Sequence, residues 1–426
     1  MKISWKGFVF CFSVVYVTTI IAVYKFYFES SGQGHEVEAS CEAKPLKTRK
    51  IFTGAALLDK TTLSQNVRAP FAVHLSHAAV VNQSSPSSHT VEIWSKASLG
   101  NYLWKHILNG EIQVLQNGLV EYGELTLKNI IIKYRTGPGI IQTTVPSDVR
   151  YLVIALNGRS ADKITTAKSW LNYLHQYRNL RGVIVVLLGD EACNNNWLLP
   201  YMQSRGGAVN AAFIVYDSSL VDNEEIFQWP LGVAVYRKFP NTSPKDVDVS
   251  LSRPYLCNFL GTVYKHSSRE KLIEVLNSSS FNGKCMVRGR KIWQPLETEE
   301  SLGLYIGSLL KSDLTLSPVG MNTECYRIYE ALSLGSIPVI EDKVTPGICD
   351  GTSSNSPLRL LKSHYAPVIF LKNWHELPAV LSQEMQLTLD EKVERRRAVI
   401  EWYKNFKQTM KIKFINVLNM KFFPNN

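Results

Sequence analysis

Residues 312–340 read SDLTLSPVGMNTECYRIYEALSLGSIPVI, and the punctuation of this stretch predicts a strand, a glycine-bearing turn, a helix and a second strand. The apolar run 314–316 closes on Ser317, Pro318 and Gly320, so the chain leaves a sheet there and turns with its backbone close to whatever it binds. A helix is expected from about 324 to 334. Arg327 and Glu330, three apart, then share one face of its N-terminal half, where unpaired amides and the helix dipole favour a diphosphate. The guanidinium offers paired donors to phosphate oxygens, and the carboxylate accepts from ribose hydroxyls. Gly335 suits the left-handed residue that ends a helix, and 336–340 re-enters the sheet. The plain alternative is a surface ion pair on a buried βαβ unit.

Without a gap, the stretch resembles the signature of exostosin-type glycosyltransferases, S-x-F-C-L-x-P-x-G-x(4)-S-x-R-x-x-E-A-L-x-x-G-C-I-P-V. Ser312, Leu316, Pro318, Gly320, Arg327, Glu330, Ala331, Leu332, Gly335, Ile337, Pro338 and Val339 fall on it. Thr315, Cys325 and Ser336 depart from it, and Cys325 stands where a serine would touch a phosphate. RPYLCNFLGT at 253–262, followed by SREKLIEVL at 268–276, resembles the opening of the donor domain in the same family. Gly261, Thr262 and Arg269 fall where that family's backbone and arginine approach the diphosphate. VEIWSKASLGNYLWKHI, DNEEIFQWPLGVAVYRKFP and ELPAVL extend the likeness over about 91–423, towards a branch of Golgi xylosyltransferases. The resemblance implies UDP-xylose as donor and ribitol-5-phosphate on the O-mannosyl glycan of α-dystroglycan as acceptor. It further implies a β1,4 linkage and inversion, with other Golgi transferases of the same pathway as candidate partners. The basic balance, Arg327 and Arg269, and the lack of an Asp-x-Asp in the body outside the linker triplet Asp246-Val-Asp248, which lies between the domains, suggest that no cofactor or metal is essential. A different UDP-sugar or acceptor, and a non-catalytic glycan-binding scaffold, are the alternatives it leaves.

Independent bounds come from length and composition. At 426 residues, 45% of them hydrophobic, the chain can bury a large core and should divide into two domains with additions. A net charge of +11 suits nucleic acid, a membrane surface or anionic ligands. No finger, recognition helix or RNA-binding aromatic signature is present, so nucleic acid is set aside in favour of anionic ligands.

Residues 7–24 are an uncharged apolar run preceded by Lys2 and Lys6 and followed by Lys25. This reads as a single-pass signal anchor with residues 1–6 cytosolic and the body lumenal, and the resemblance implies the Golgi membrane. No small-residue cleavage site follows it promptly. Sequons at Asn82, Asn241 and Asn277 fit a secretory glycoprotein. Beyond Cys11 in the apolar run, six cysteines remain; Cys257 with Cys285, or Cys325 with Cys349, are candidate bridges, and spacing alone decides nothing.

Residues 25–89 lack periodicity and read as a stalk. A helix pattern is expected from about 90 to 108, then alternating β sequence around 125–134. The runs 151–156 and 183–188 are continuously apolar, the mark of strands buried on both faces of a parallel sheet. A helix at about 161–177 separates them, 213–216 reads as a third strand and 233–236 as a fourth element. A polar linker at 239–249 then leads to a second alternation, with strands near 255, 314, 337 and 368. The expected architecture is α/β of GT-B type: an acceptor-side Rossmann-like domain at 90–240 and a nucleotide-sugar domain at 250–387 facing one cleft. A C-terminal helix in 388–426 opens with the capping box Thr388-Leu-Asp-Glu391 and packs back on the first domain.

Inversion needs a base on the acceptor hydroxyl, and such a group belongs on a first-half loop at the carboxyl end of a strand. Asp217 and Glu191 follow apolar strands, and His106 sits on the preceding helical segment. Each has a bland reading as a cap or a packed histidine. Arg159 is a candidate for an acceptor phosphate, and Trp229 for stacking or for packing.

Overall fold

The computed structural model describes residues 89–424, save 116–117, 282, 346 and 350–355. The expected anchor, the stalk before His89, Cys41 and Asn82 lie outside the described residues. Among the described residues no helix is long and apolar enough to cross a membrane.

The first half is built on eight strands: β1 (His89–Ser95), β2 (Gln113–Leu115), β3 (Val120–Leu127), β4 (Ile130–Thr136), β5 (Tyr151–Asn157), β6 (Gly182–Leu188), β7 (Ala211–Val215) and β8 (Ile226–Trp229). Their order is β2-β3-β4-β1-β5-β6-β7-β8. From β4 through β1 to β8 neighbours run parallel, while β2, β3 and β4 form an antiparallel edge. β5 and β6 fill the two apolar runs, and Val183 to Leu187 are almost wholly buried. Two-sided burial of this kind is what covering helices impose on a parallel sheet.

Two expectations for this half need correction. The helix expected from 90 begins only at α1 (Ser98–Tyr102), which continues as a wider π-type turn over Leu103–Leu108. Residues 89–95 are instead the central strand β1, whose Val91, Ile93 and Trp94 are fully buried. A strand buried on both faces loses its alternation, so its spacing imitates a helix. The fourth strand is β8, not 233–236, which is loop passing into one 3₁₀ turn at Val235–Arg237. Pro230 has no N–H for a ladder, and Gly232 turns at φ 70° beneath the Tyr102 ring, where a Cβ would lie 2.3 Å from that ring.

The second half is a five-stranded parallel sheet of β9 (Tyr255–Thr262), β10 (Cys285–Arg290), β11 (Ser312–Ser317), β12 (Ile337–Glu341) and β13 (Ile369–Leu371), in the order β10-β9-β11-β12-β13. Alternating with them are α2 (Ser268–Ser278), α3 (Glu299–Leu310), α4 (Tyr326–Ser333), α5 (Arg359–Ser363) and α6 (Leu377–Gln386). The linker triplet Asp246-Val-Asp248 is local: Asp246 closes a capping box on Ser243.

Helix α7 (Leu389–Phe422) starts with the Thr388–Glu391 capping box and spans both halves. Near its start, fully buried Arg396 pairs with Asp313 of β11 at 2.5 Å. Near its end, Phe414 packs against Phe213 and Trp229, and Phe422 and Phe423 pack against Tyr151. Trp229 is therefore core.

Cys257 is bonded to Cys285 across paired strands. Cys325 is free, and its expected partner Cys349 is bonded instead to Cys193 of the first half. The chain after β12 lies on the 189–195 loop, with Ile348 N–H donating to Ala192 O at 3.1 Å, which carries Cys349 away from the turn that holds Cys325.

Candidate active site

A cleft of about 580 Å³ opens between the carboxyl ends of the two parallel sheets. Its second-half wall holds Gly261, Thr262, Arg269, Gly320, Arg327 and Glu330. β9 ends at Thr262, whose carbonyl accepts from Arg269 Nη1 at 2.8 Å, while Leu260 O accepts from Arg327 Nη2 at 2.9 Å. Both guanidinium groups are thus moored to the strand end. A Cβ on Gly261 would lie 2.9 Å from Arg327 Nη2, and one on Gly320 would lie 2.6 Å from Arg269 Nη2. The two glycines are where the arginines fit. The Arg327 guanidinium also lies over the Phe259 ring at 5.1 Å.

Burial, then the neighbouring Arg327, lowers the pKa of Arg269 from its ordinary value. The Nε atoms of both arginines are buried without a hydrogen-bond partner. Two adjacent, desolvated, partly unpaired cations are a strong site for a dianion. Pro318 is buried below the turn and does not line the cleft.

Glu330 differs from expectation in its surroundings. It is only 4% exposed, and its two oxygens accept from Ala234 N–H at 3.0 Å and from Tyr305 O–H at 2.6 Å. Burial raises its pKa. Since Ala234 belongs to the first half, this carboxylate ties the halves together at the cleft floor. Its remaining lone pairs face a lining that also includes Phe239 and Tyr305.

The three candidate bases separate cleanly. Asp217 is 2% exposed, pairs with Arg359 at 2.9 Å and does not line the cleft. His106 is buried, stacks on Tyr102 and lines a separate groove with Asn241, Tyr403 and Lys407. Burial, with Lys407 and Lys105 nearby, pushes its pKa down to about 3. Both fail as bases for the same reason: packing that sequence spacing does not record encloses them. Glu191 does line the cleft, and Arg159 Nη2 reaches its Oε1 at 2.5 Å while also donating to Tyr216 O–H at 2.5 Å. Arg159 keeps its buried Nε unpartnered. The sequon residues Asn241 and Asn277 are exposed.

Sequence reasoning missed Arg237, Arg290, Trp293, Glu297 and Glu324, all in the lining. Glu297 accepts from Arg290 at 2.9 Å and Arg237 at 3.4 Å, and the Arg237 guanidinium lies near the Trp293 ring at 5.8 Å. The basic, aromatic run RGRKIW at 288–293 was the available signal. Glu324 accepts from Leu231 N–H and Tyr329 O–H, and burial pushes its pKa up to about 7. Among the described residues no three or more His, Cys, Asp or Glu side chains converge as metal ligands would.

Comparison with known proteins bears on this arrangement. Residues 91–230 match the model of the RXYLT1 N-terminal domain, and 236–423 that of the RXYLT1 C-terminal domain. The chain is similar to ribitol-5-phosphate xylosyltransferase 1 of Danio rerio, 46% identical over 363 residues that cover 84% of this chain and 83% of that protein. The Homo sapiens protein of the same name is 47% identical over 343 residues, covering 79% and 77%, and that of Mus musculus 44% over 355, covering 82% and 80%. Among solved structures, an alpha-glucosyltransferase in complex with UDP and a 13-mer DNA covers 76% of this chain and 96% of its own at 12% identity and a TM-score of 0.40, a likeness from which no residue is carried over. With both family domains present in order and identity above two fifths over most of the length, the chain belongs to the RXYLT1 family of ribitol-5-phosphate xylosyltransferases.

Proposed function

We propose that the two halves work as a GT-B enzyme that transfers xylose from UDP-xylose to ribitol-5-phosphate, forming a β1,4 linkage with inversion. The observation that carries this reading is the adjacent pair Arg269 and Arg327 in the cleft wall, seated over Gly320 and Gly261. The donor's diphosphate lies against them. As the bond from xylose to UDP breaks, negative charge grows on the diphosphate, and fixed cations in a desolvated cleft stabilise it without reorganising. Glu191 comes from the opposite wall, the side from which an inverting acceptor attacks, and takes the proton of the attacking hydroxyl. Arg159 orients Glu191, and its guanidinium, which lines the cleft beside that carboxylate, meets the acceptor phosphate. By family and by this chemistry the protein is a transferase. We place it in the Golgi membrane as a single-pass type II protein, acting on the O-mannosyl glycan of α-dystroglycan beside other transferases of that pathway.

The test is a transfer assay on purified protein with UDP-xylose, a panel of other UDP-sugars and a ribitol-5-phosphate acceptor, the product's anomeric configuration being read by NMR. Transfer from UDP-xylose with β stereochemistry is expected, largely preserved in excess EDTA because arginines carry the charge. An α product, preference for another donor, or a loss in EDTA that metal restores would each remove a separate part of the proposal.

A further inference from the structure

We propose that the donor half itself sets the catalytic base in register, through a clasp formed by Asn322 and the Cys193–Cys349 bridge, and that both are positioning elements of the reaction. The proposal rests on the assignment of Glu191 as base.

Asn322 lies in the turn between β11 and α4 and is 7% exposed. Its Nδ2 donates to the backbone carbonyl of Glu191 at 2.7 Å, its Oδ1 accepts from Glu324 N–H at 2.8 Å, and its own carbonyl accepts from Gly320 N–H at 3.3 Å. One buried amide is therefore fixed to the same turn that presents Gly320 to Arg269, and from there it grips the backbone of Glu191. Two residues beyond Glu191, Cys193 is bonded to Cys349. Between these points Ala192 O accepts from Ile348 N–H at 3.1 Å, and Gly347 approaches so closely that a Cβ would lie 2.8 Å from Ala192 O.

The side chain of Glu191 is oriented from its own half, by Arg159. Its backbone is located from the other half. Hinge or shear movement between halves is the common repertoire of two-domain enzymes, and it would ordinarily change the distance from base to donor. Here the base's loop travels with the donor turn. That matters because a base must sit within hydrogen-bond reach of its proton, and misplacement by about 1 Å costs roughly a hundredfold in rate.

The test compares Glu191→Gln, Asn322→Ala and the double variant Cys193→Ser with Cys349→Ser, each measured for kcat and for UDP affinity by calorimetry. Loss of the clasp is expected to lower kcat by about ten- to a hundredfold while UDP affinity stays within about twofold of wild type. Asn322→Ala combined with Glu191→Gln is expected to be no slower than Glu191→Gln alone, because residues acting as a unit are not additive. Wild-type kcat in Asn322→Ala, or a loss that multiplies that of Glu191→Gln, overturns the clasp. Full activity in Glu191→Gln instead removes the base assignment, whatever the clasp variants do. Asn322→Ala leaves the bridge intact, so it decides the matter where the serine pair does not fold.

Discussion

Arg327 and Glu330 are one helical turn apart yet do different work. Arg327 is moored to Leu260 O and, more weakly, to Cys325 Sγ, with its Nε unpartnered, so Arg327→Ala should leave the fold intact. Losing a charge-assisted contact to the diphosphate should weaken UDP binding by about 1.5–3 kcal/mol, roughly ten- to a hundredfold, which calorimetry would read. Glu330→Ala should act first on stability, because it strands the buried Ala234 N–H and Tyr305 O–H; a thermal shift with residual UDP binding is the expected pattern. Glu324 carries the pH dependence. Its pKa is pushed up to about 7 from the ordinary 4.5, so between those values the folded state holds a proton that the unfolded state has lost. Stability from this group therefore falls as pH rises from about 4.5 through about 7, by roughly 3 kcal/mol in all. Glu324→Gln keeps an acceptor for Leu231 N–H and should flatten that decline in denaturant titrations at pH 5 and pH 8.

At the scale of elements, legibility followed burial. β5 and β6 could be read because strands covered on both faces write unbroken apolar runs, and the β11–turn–α4–β12 unit because Pro, Gly, Arg and Glu fall at fixed places. β1 has the same two-sided burial but reads as a helix, since Val91, Ile93 and Trp94 with the apolar residues after them also satisfy a helical spacing. Helix α7 was legible at its capped start, and its return to the first half was expected from the GT-B architecture, but the residues it meets there were not. Its Phe414 packs with Phe213 and Trp229 in the first half's core. Phe414→Ala should cost about 3–5 kcal/mol, measured by chemical denaturation, although this residue lies far along the chain from the sheet it supports. A cost below about 1 kcal/mol would show that the helix end only rests on the sheet.

Across the whole molecule, the donor wall was readable because its arginines and glycines lie within local motifs. Of the acceptor wall, Glu191 and Arg159 were readable as residues that follow apolar strands, but what holds that wall against the donor half was not, because it depends on meetings between distant segments. Asn322 reaches Glu191 across 131 positions and Cys193 reaches Cys349 across 156, and no local pattern encodes such a partner. The same long reach closes the fold at its other end. Phe423 stacks on His89 at 4.3 Å between ring centres, and a Cβ on Gly182 would lie 2.6 Å from the Phe422 ring. The first strand thus waits for the last helical turn to cover it. Domains generally fold in order as they emerge from the ribosome, but this first half cannot complete its core until residues 414–423 have been synthesised. A nascent chain stopped anywhere in α7 would still carry an unfinished amino-terminal sheet, so premature stop codons even in the final turns of the helix should yield chains that proteases clear, and the enzyme is assembled as a whole or not at all.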